Sequence, residues 1–215
     1  MMNKFINYSK ALTDGIILSS INVYGLDIYE IVDSGIFDNI PGIGVIISTG
    51  RSIMSIRDRL FIKKFVKFLQ EFNTMSISES EREKFRKKFQ EDELYRIEIT
   101  ECLISYIDDF KRLEKAEILA RLFAEYIKGT FPWEHFLDLS DLLSKINISN
   151  LMQIPQIDTK EGKEVQNFDE QQSSVEADLI SSGLAMRLSI WSSCVYPTSL
   201  GKDLYTFGVK SKGSN

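Results

Sequence analysis

The chain has one histidine, His135, and two cysteines, Cys102 and Cys194, so the side chains that most often carry acid–base, nucleophilic and metal chemistry are scarce. His135 follows Trp133 and Glu134 at the start of an expected helix, where a lone imidazole is a surface or capping residue. Without a second histidine, and with the cysteines far apart, no metal-ligand set is expected. Glu98 and Glu101, followed by Asp108 and Asp109, could pair carboxylates for general acid–base work, but acids three apart on a helix form a solvated face. Gly42-Ile43-Gly44 lacks the third glycine and the lysine of a phosphate loop. Ser192-Ser193-Cys194 falls in an expected strand with no base beside it. The residues therefore predict a non-enzyme, with no cofactor and no metal.

What remains is an interaction chemistry, concentrated in Ile40 to Leu69. Ile40, Ile43, Val45, Ile46 and Ile47 lie among Pro41, Gly42, Gly44 and Gly50, and no charge occurs over the twelve residues from Asn39 to Gly50. The run from Gly15 to Leu26 is equally long and also uncharged. Both fall short of the ~20 apolar residues that a membrane-crossing helix needs. The second run leads into Arg51, Arg57, Arg59, Lys63, Lys64 and Lys67, six cations opposed only by Asp58. An apolar run followed by a basic amphipathic helix suits a membrane surface, because cations meet anionic headgroups while the apolar side enters the acyl boundary. The same pattern also describes a core helix with a solvated basic face; Phe61, Phe65, Phe68 or Leu69 and Phe72 recur at the helical spacing that both readings require.

The rest of the sequence must position this stretch. With 215 residues, 43 % apolar and 27 % charged, the chain has the composition of an ordinary globular protein with one core, or one core and a smaller appendage. A net charge of −5 disfavours a general nucleic-acid binder, and the local excess of bases is confined almost entirely to residues 34–75, where six cations face three acids. Two distant cysteines read as reduced thiols in a cytosolic protein. Asp14 precedes any apolar run, so secretion by a standard signal peptide is not expected.

Four parts are expected: an apolar, glycine-containing helical segment over 1–52, a helical bundle over 53–153, a flexible polar loop over 154–174 and a small module over 175–215. In the bundle, helices are predicted from Ile53 to about Phe72, Glu79 to Gln90, Asp92 to Tyr106, Leu113 to Lys128 and from Pro132 onward. Ser78 and Glu81 form a capping-box pattern, Asp108-Asp109 mark a turn, and Gly129 closes the fourth helix. Leu94, Ile97, Leu103, Ile104 and Ile107 are expected to face the core. The short connections imply antiparallel neighbours. In the last part, Val175 to Ser182 forms a helix closed by Gly183, Met186, Leu188 and Ile190 alternate as a strand continuing to Tyr196, and a final helix follows Pro197-Thr198. This order resembles the closing half of a winged-helix domain. Glu176 and Asp178, with no Lys or Arg on that helix, point to packing or protein contact rather than DNA. The fold class expected is mainly α: an antiparallel helical bundle with a small C-terminal winged-helix-like α+β module.

The run Ile40-Pro41-Gly42-Ile43-Gly44, the run from Ser55 to Lys64 (SIRDRLFIKK) and the run from Lys115 to Phe123 (KAEILARLF) resemble a group of small bacterial and prophage-encoded proteins. Some of these are linked to antiphage defence by membrane pore formation. The resemblance covers Ile40 to Leu143 and the Leu200-Gly201 ending, and contains no catalytic signature. It implies a sensor and effector that is cytoplasmic at rest, is triggered by a phage protein assembly, and forms a homo-oligomer that permeabilises the inner membrane. The expected insertion residues are Ile40, Ile43, Val45, Ile46 and Ile47, with Arg51, Arg57, Arg59, Lys63, Lys64 and Lys67 against anionic lipid. The competing expectation is a winged-helix transcriptional regulator or protein-interaction adaptor whose N-terminal helices dimerise.

Overall fold

A computed structural model describes residues 56–158, 170–187 and 195–210. These residues are mainly helical, with one small two-stranded sheet. Two compact units meet in sequence between Lys128 and Gly129, inside the stretch 53–153 that the sequence treats as one bundle.

The described part of the first unit contains four helices: α1 (Ile56–Thr74), α2 (Glu79–Glu91), α3 (Glu93–Asp109) and α4 (Leu113–Ile127). The core side of α1 is the expected phenylalanine series, with Phe61, Phe65, Phe68, Leu69 and Phe72 all buried. Helix α2 starts with the predicted capping box: the Ser78 hydroxyl accepts from the Glu81 backbone N–H while the Glu81 carboxylate accepts from the Ser78 N–H at 2.8 Å. Phe85 and Phe89 are its two buried residues. Gly129 adopts φ +76° just past α4 and Gly183 adopts φ +83° at the turn after a later helix, a backbone region glycine enters without steric cost.

Helix α4 is the centre of this unit. Every residue from Lys115 to Ala124 is buried, Lys115, Glu117 and Arg121 included, so the middle of α4 is enclosed on all sides. Phe123 lies 5.6 Å from Phe72, 6.1 Å from Phe68 and 5.7 Å from Phe85, centre to centre, so one ring ties α1 and α2 to α4.

The structure departs from three expectations. Asp108 and Asp109 do not turn the chain; α3 runs through both, and the turn falls at Phe110 to Arg112. Two carboxylates at a helix C-terminus oppose the helix dipole. Cations from α1 offset this, Lys64 bonding the terminal carbonyl of Asp108 and Arg57 pairing with its carboxylate. Second, Leu94 is 80 % exposed and Ile97 is also exposed, and the core side of α3 is Ile99, Leu103 and Ile107, at four-residue intervals. Third, the neighbours are not all antiparallel. The start of α1 meets the end of α3, so those two oppose, but Lys67 pairs with Glu117 and Glu71 with Arg121, so α1 and α4 run in the same direction. The α2–α3 segment carries the chain back between them.

The second unit contains α5 (Trp133–Lys145), the short turns α6 (Ile148–Leu151) and α7 (Ile154–Asp158), α8 (Glu170–Ser181), strands β1 (Ala185–Met186) and β2 (Tyr196–Pro197), and α9 (Ser199–Gly208). The stretch expected to be a loop, 154–174, is helical at both described ends, while residues 159–169 lie outside the described residues. Ile154 supplies a buried anchor that the polar composition of the stretch obscures. The strands pair antiparallel, Ala185 with Pro197 and Met186 with Tyr196; Leu188 and Ile190 lie outside the described residues. Helix, glycine turn, short strand pair and helix follow in the expected order.

Candidate functional site

Helix α1 carries Arg57, Arg59, Lys63, Lys64 and Lys67, while Ile40, Ile43, Val45, Ile46, Ile47 and Arg51 lie outside the described residues. The five remaining cations are not one solvent-facing stripe. Lys64 is buried, and its ammonium donates to the carbonyl oxygens of Asp108 at 2.6 Å and Phe110 at 2.8 Å. It thereby caps the carbonyl end of α3. Burial holds the Lys64 ammonium below the usual lysine range, with Asp108 and Asp109 pulling the other way. Lys67, also largely covered, pairs with Glu117 at 3.0 Å.

One turn further on, Arg121 Nε donates to Glu71 Oε1 at 2.7 Å, and its other nitrogen approaches Glu117 Oε2 at 3.4 Å. Lys67 and Glu71 on α1, with Glu117 and Arg121 on α4, make a buried ladder of alternating charge. Removing one member of such a set leaves a buried charge uncompensated, which is why the ladder fixes how the two helices meet. Arg121 was visible in the sequence only as part of the motif KAEILARLF, and the signal that could have found it is the i, i+4 pair of opposite charges within an otherwise apolar helix.

Arg57 is 80 % exposed at its side chain and pairs with Asp108, a contact that raises its affinity for the proton. Arg59 and Lys63 are half-buried. Of the six cations expected at a membrane surface, Lys64 and Lys67 are thus committed to the interior, and Arg57, Arg59 and Lys63 are the described ones with access to the outside. Beside them, Ile56 is 78 % and Leu60 54 % exposed, one helical turn apart.

The catalytic candidates stay apart. Cys102 is a half-buried residue of α3, outside any disulfide, and Ser192 to Cys194 lie outside the described residues. His135 Nε2 meets Asp203 Oδ2 at 3.1 Å, joining α5 to α9 with the Phe131 ring 5.1 Å from the imidazole. No third member completes that pair among the described residues. The Tyr95 and Tyr126 hydroxyls lie 2.7 Å apart, with Tyr95 pushed well above the usual phenol range, chiefly by burial, and Lys88 4.0 Å over its ring. Among the described residues no group of acids, histidines and cysteines could hold a metal ion, and no helix is long and apolar enough to cross a membrane. No protein-family model, curated protein or solved structure matches the chain.

Proposed function

We propose that the protein is a membrane-active effector of antiphage defence, with the apolar run Ile40 to Ile47 as its inserting element. A phage protein assembly would trigger it, and several copies would permeabilise the inner membrane together, because short apolar runs must pair to satisfy their backbone groups in lipid. The observation that carries this reading is the start of α1, where exposed Ile56 and Leu60 sit with exposed Arg57, Ile56 following Ile47 by nine residues in the sequence. Large apolar side chains beside an arginine on an open helix end suit the boundary between headgroups and acyl chains.

The packing limits what can move. Phe61, Ile62, Phe65, Val66, Phe68, Leu69 and Phe72 of α1 are all buried, and at about 1.5–3 kcal/mol each their exposure would cost as much as the stability of an ordinary domain or more. Helix α1 is therefore an anchor, and the released segment ends upstream of Phe61. Lys64 and Lys67 would stay in the interior while Arg51, Arg57, Arg59 and Lys63 face lipid.

The test is dye release from anionic liposomes by the purified protein, alone and with a lysate of phage-infected cells. Release only with the lysate, abolished by Ile46→Asp without loss of fold, supports the proposal. Absence of release with a folded protein under both conditions overturns it. The alternative is a regulator or adaptor acting through a winged-helix-like second unit, favoured by the order of α8, the two strands and α9. Biological activity that survives Ile46→Asp but fails with Lys202→Glu selects that alternative.

A further inference from the structure

Helix α1 begins where α3 ends and α4 starts, which joins residues that the sequence keeps fifty apart. Lys64 bonds the carbonyl of Phe110, so the next two residues, Lys111 and Arg112, lie at the same corner as the first turns of α1. Both are exposed, and neither they nor Lys63 has an ion-pair or hydrogen-bond partner for its side chain among the described residues. Ile56, Leu60 and Lys63 stand at i, i+4 and i+7, on one side of α1. The corner thus combines two open apolar side chains with Arg57, Lys63, Lys111 and Arg112.

From this we infer that the corner is a peripheral docking surface for an anionic bilayer, used by the folded protein with α1 still packed on α4. The inference rests on the membrane reading above and extends it: binding precedes release of the apolar run, and Lys111 and Arg112 take the places at the lipid surface that the buried Lys64 and Lys67 cannot. An anionic lipid surface is favoured over a protein partner because exposed Ile56 and Leu60 stand beside Lys63, Lys111 and Arg112, cations with no ion pair among the described residues. Asp109 and Glu114 are exposed nearby and Asp58 is half-buried, so the attraction is modest, reversible and salt-sensitive.

The test is flotation of the full chain, without any trigger, on vesicles of phosphatidylcholine alone and with a large share of phosphatidylglycerol, at low and high salt. The unmodified protein should float only on the anionic vesicles at low salt. Each headgroup cation contributes roughly fivefold in partitioning, so reversing two charges in Lys111→Glu with Arg112→Glu should lower it at least tenfold. Leu60→Asp should do the same, and circular dichroism checks that each variant is folded. Flotation that is unchanged in both variants overturns this inference while leaving a membrane role in place. Equal flotation on neutral vesicles, or none on either, overturns it too, and the triggered dye-release assay then judges the membrane reading separately. Loss of a captured protein partner, rather than of vesicles, in the charge-reversed variant assigns the corner to protein contact and also overturns it.

Discussion

The two units hold their helices together by different means. In the first, α1 and α4 meet through a buried ladder of four charges set beside a cluster of phenylalanine rings. In the second, α9 meets its neighbours through shape: Gly201 sits so close to the turn after α8 that an added Cβ would lie 2.1 Å from the Leu184 carbonyl oxygen. The one inter-helix ion pair described there between α5 and α9, His135 with Asp203, is half-open to solvent. Buried charges select a partner and a direction, which matters for a parallel pair that is not a hairpin. Close backbone approach selects a distance, and tolerates no side chain at all.

The largest effects should come from breaking each device. Arg121→Ala removes the cation that Glu71 and Glu117 share in the interior, and should cost about 3–5 kcal/mol, read by denaturant unfolding. Replacing Arg121 and Glu71 together by Met and Leu should recover most of that loss, since a buried pair is replaceable by packing where a lone charge is not. If the double replacement is as damaging as Arg121→Ala, the ladder is not what fixes α1 on α4. Gly201→Ala should cost about 3 kcal/mol, because the obstructing atoms are backbone and the nearest cannot rotate away. That loss should appear in the second unit's unfolding with the first unit unchanged, and a shared loss would mean that the two units melt as one.

A middle-sized effect belongs to Lys64. Lys64→Met removes a buried cation that serves two carbonyls, and should cost about 2–3 kcal/mol. The pH dependence has a defined sign. Because the folded chain holds this proton less tightly than the unfolded one, stability from this group rises with pH between its lowered value and the ordinary 10.5. The variant should lack that rise, measured as the unfolding midpoint from pH 8 to pH 10.5.

Local chemistry was legible in the sequence and tertiary choice was not. The helices of the first unit, the capping box of Ser78 and the glycine closures follow from patterns within a few residues. The exposure of Leu94 does not, since periodicity alone fits both Leu94-Ile97 and Ile99-Leu103-Ile107, and only the position of α4 decides between them. Asp108-Asp109 read as a turn because the two cations that make a helix end tolerable there come from more than forty residues away. The apolar run Ile40 to Ile47 remains a matter of sequence, and the basic residues after it divide into interior and exterior only once Asp108, Phe110 and Glu117 are brought against them.

The smallest effect isolates a device that depends on neither burial nor close approach. At the start of α2 the Ser78 hydroxyl and the Glu81 carboxylate satisfy each other's backbone donors in the open, and hydrogen bonds from Ser78 hold the Glu81 carboxyl below its usual range. Ser78→Ala should cost about 1 kcal/mol, the ordinary worth of a cap. The contribution of Glu81 is present above its unfolded value and fades as pH falls through the lower folded one, so the difference between Glu81 and Glu81→Gln proteins should shrink on acidification below about pH 4.5. Because Phe85 and Phe89 tie α2 into the same core as Phe123, this loss should reach the ladder of α1 and α4 only through global stability. A Ser78→Ala protein in which Arg121→Ala costs the same as in the parent would confirm that independence, whereas a non-additive pair would mean that the open cap and the buried ladder set one another's geometry.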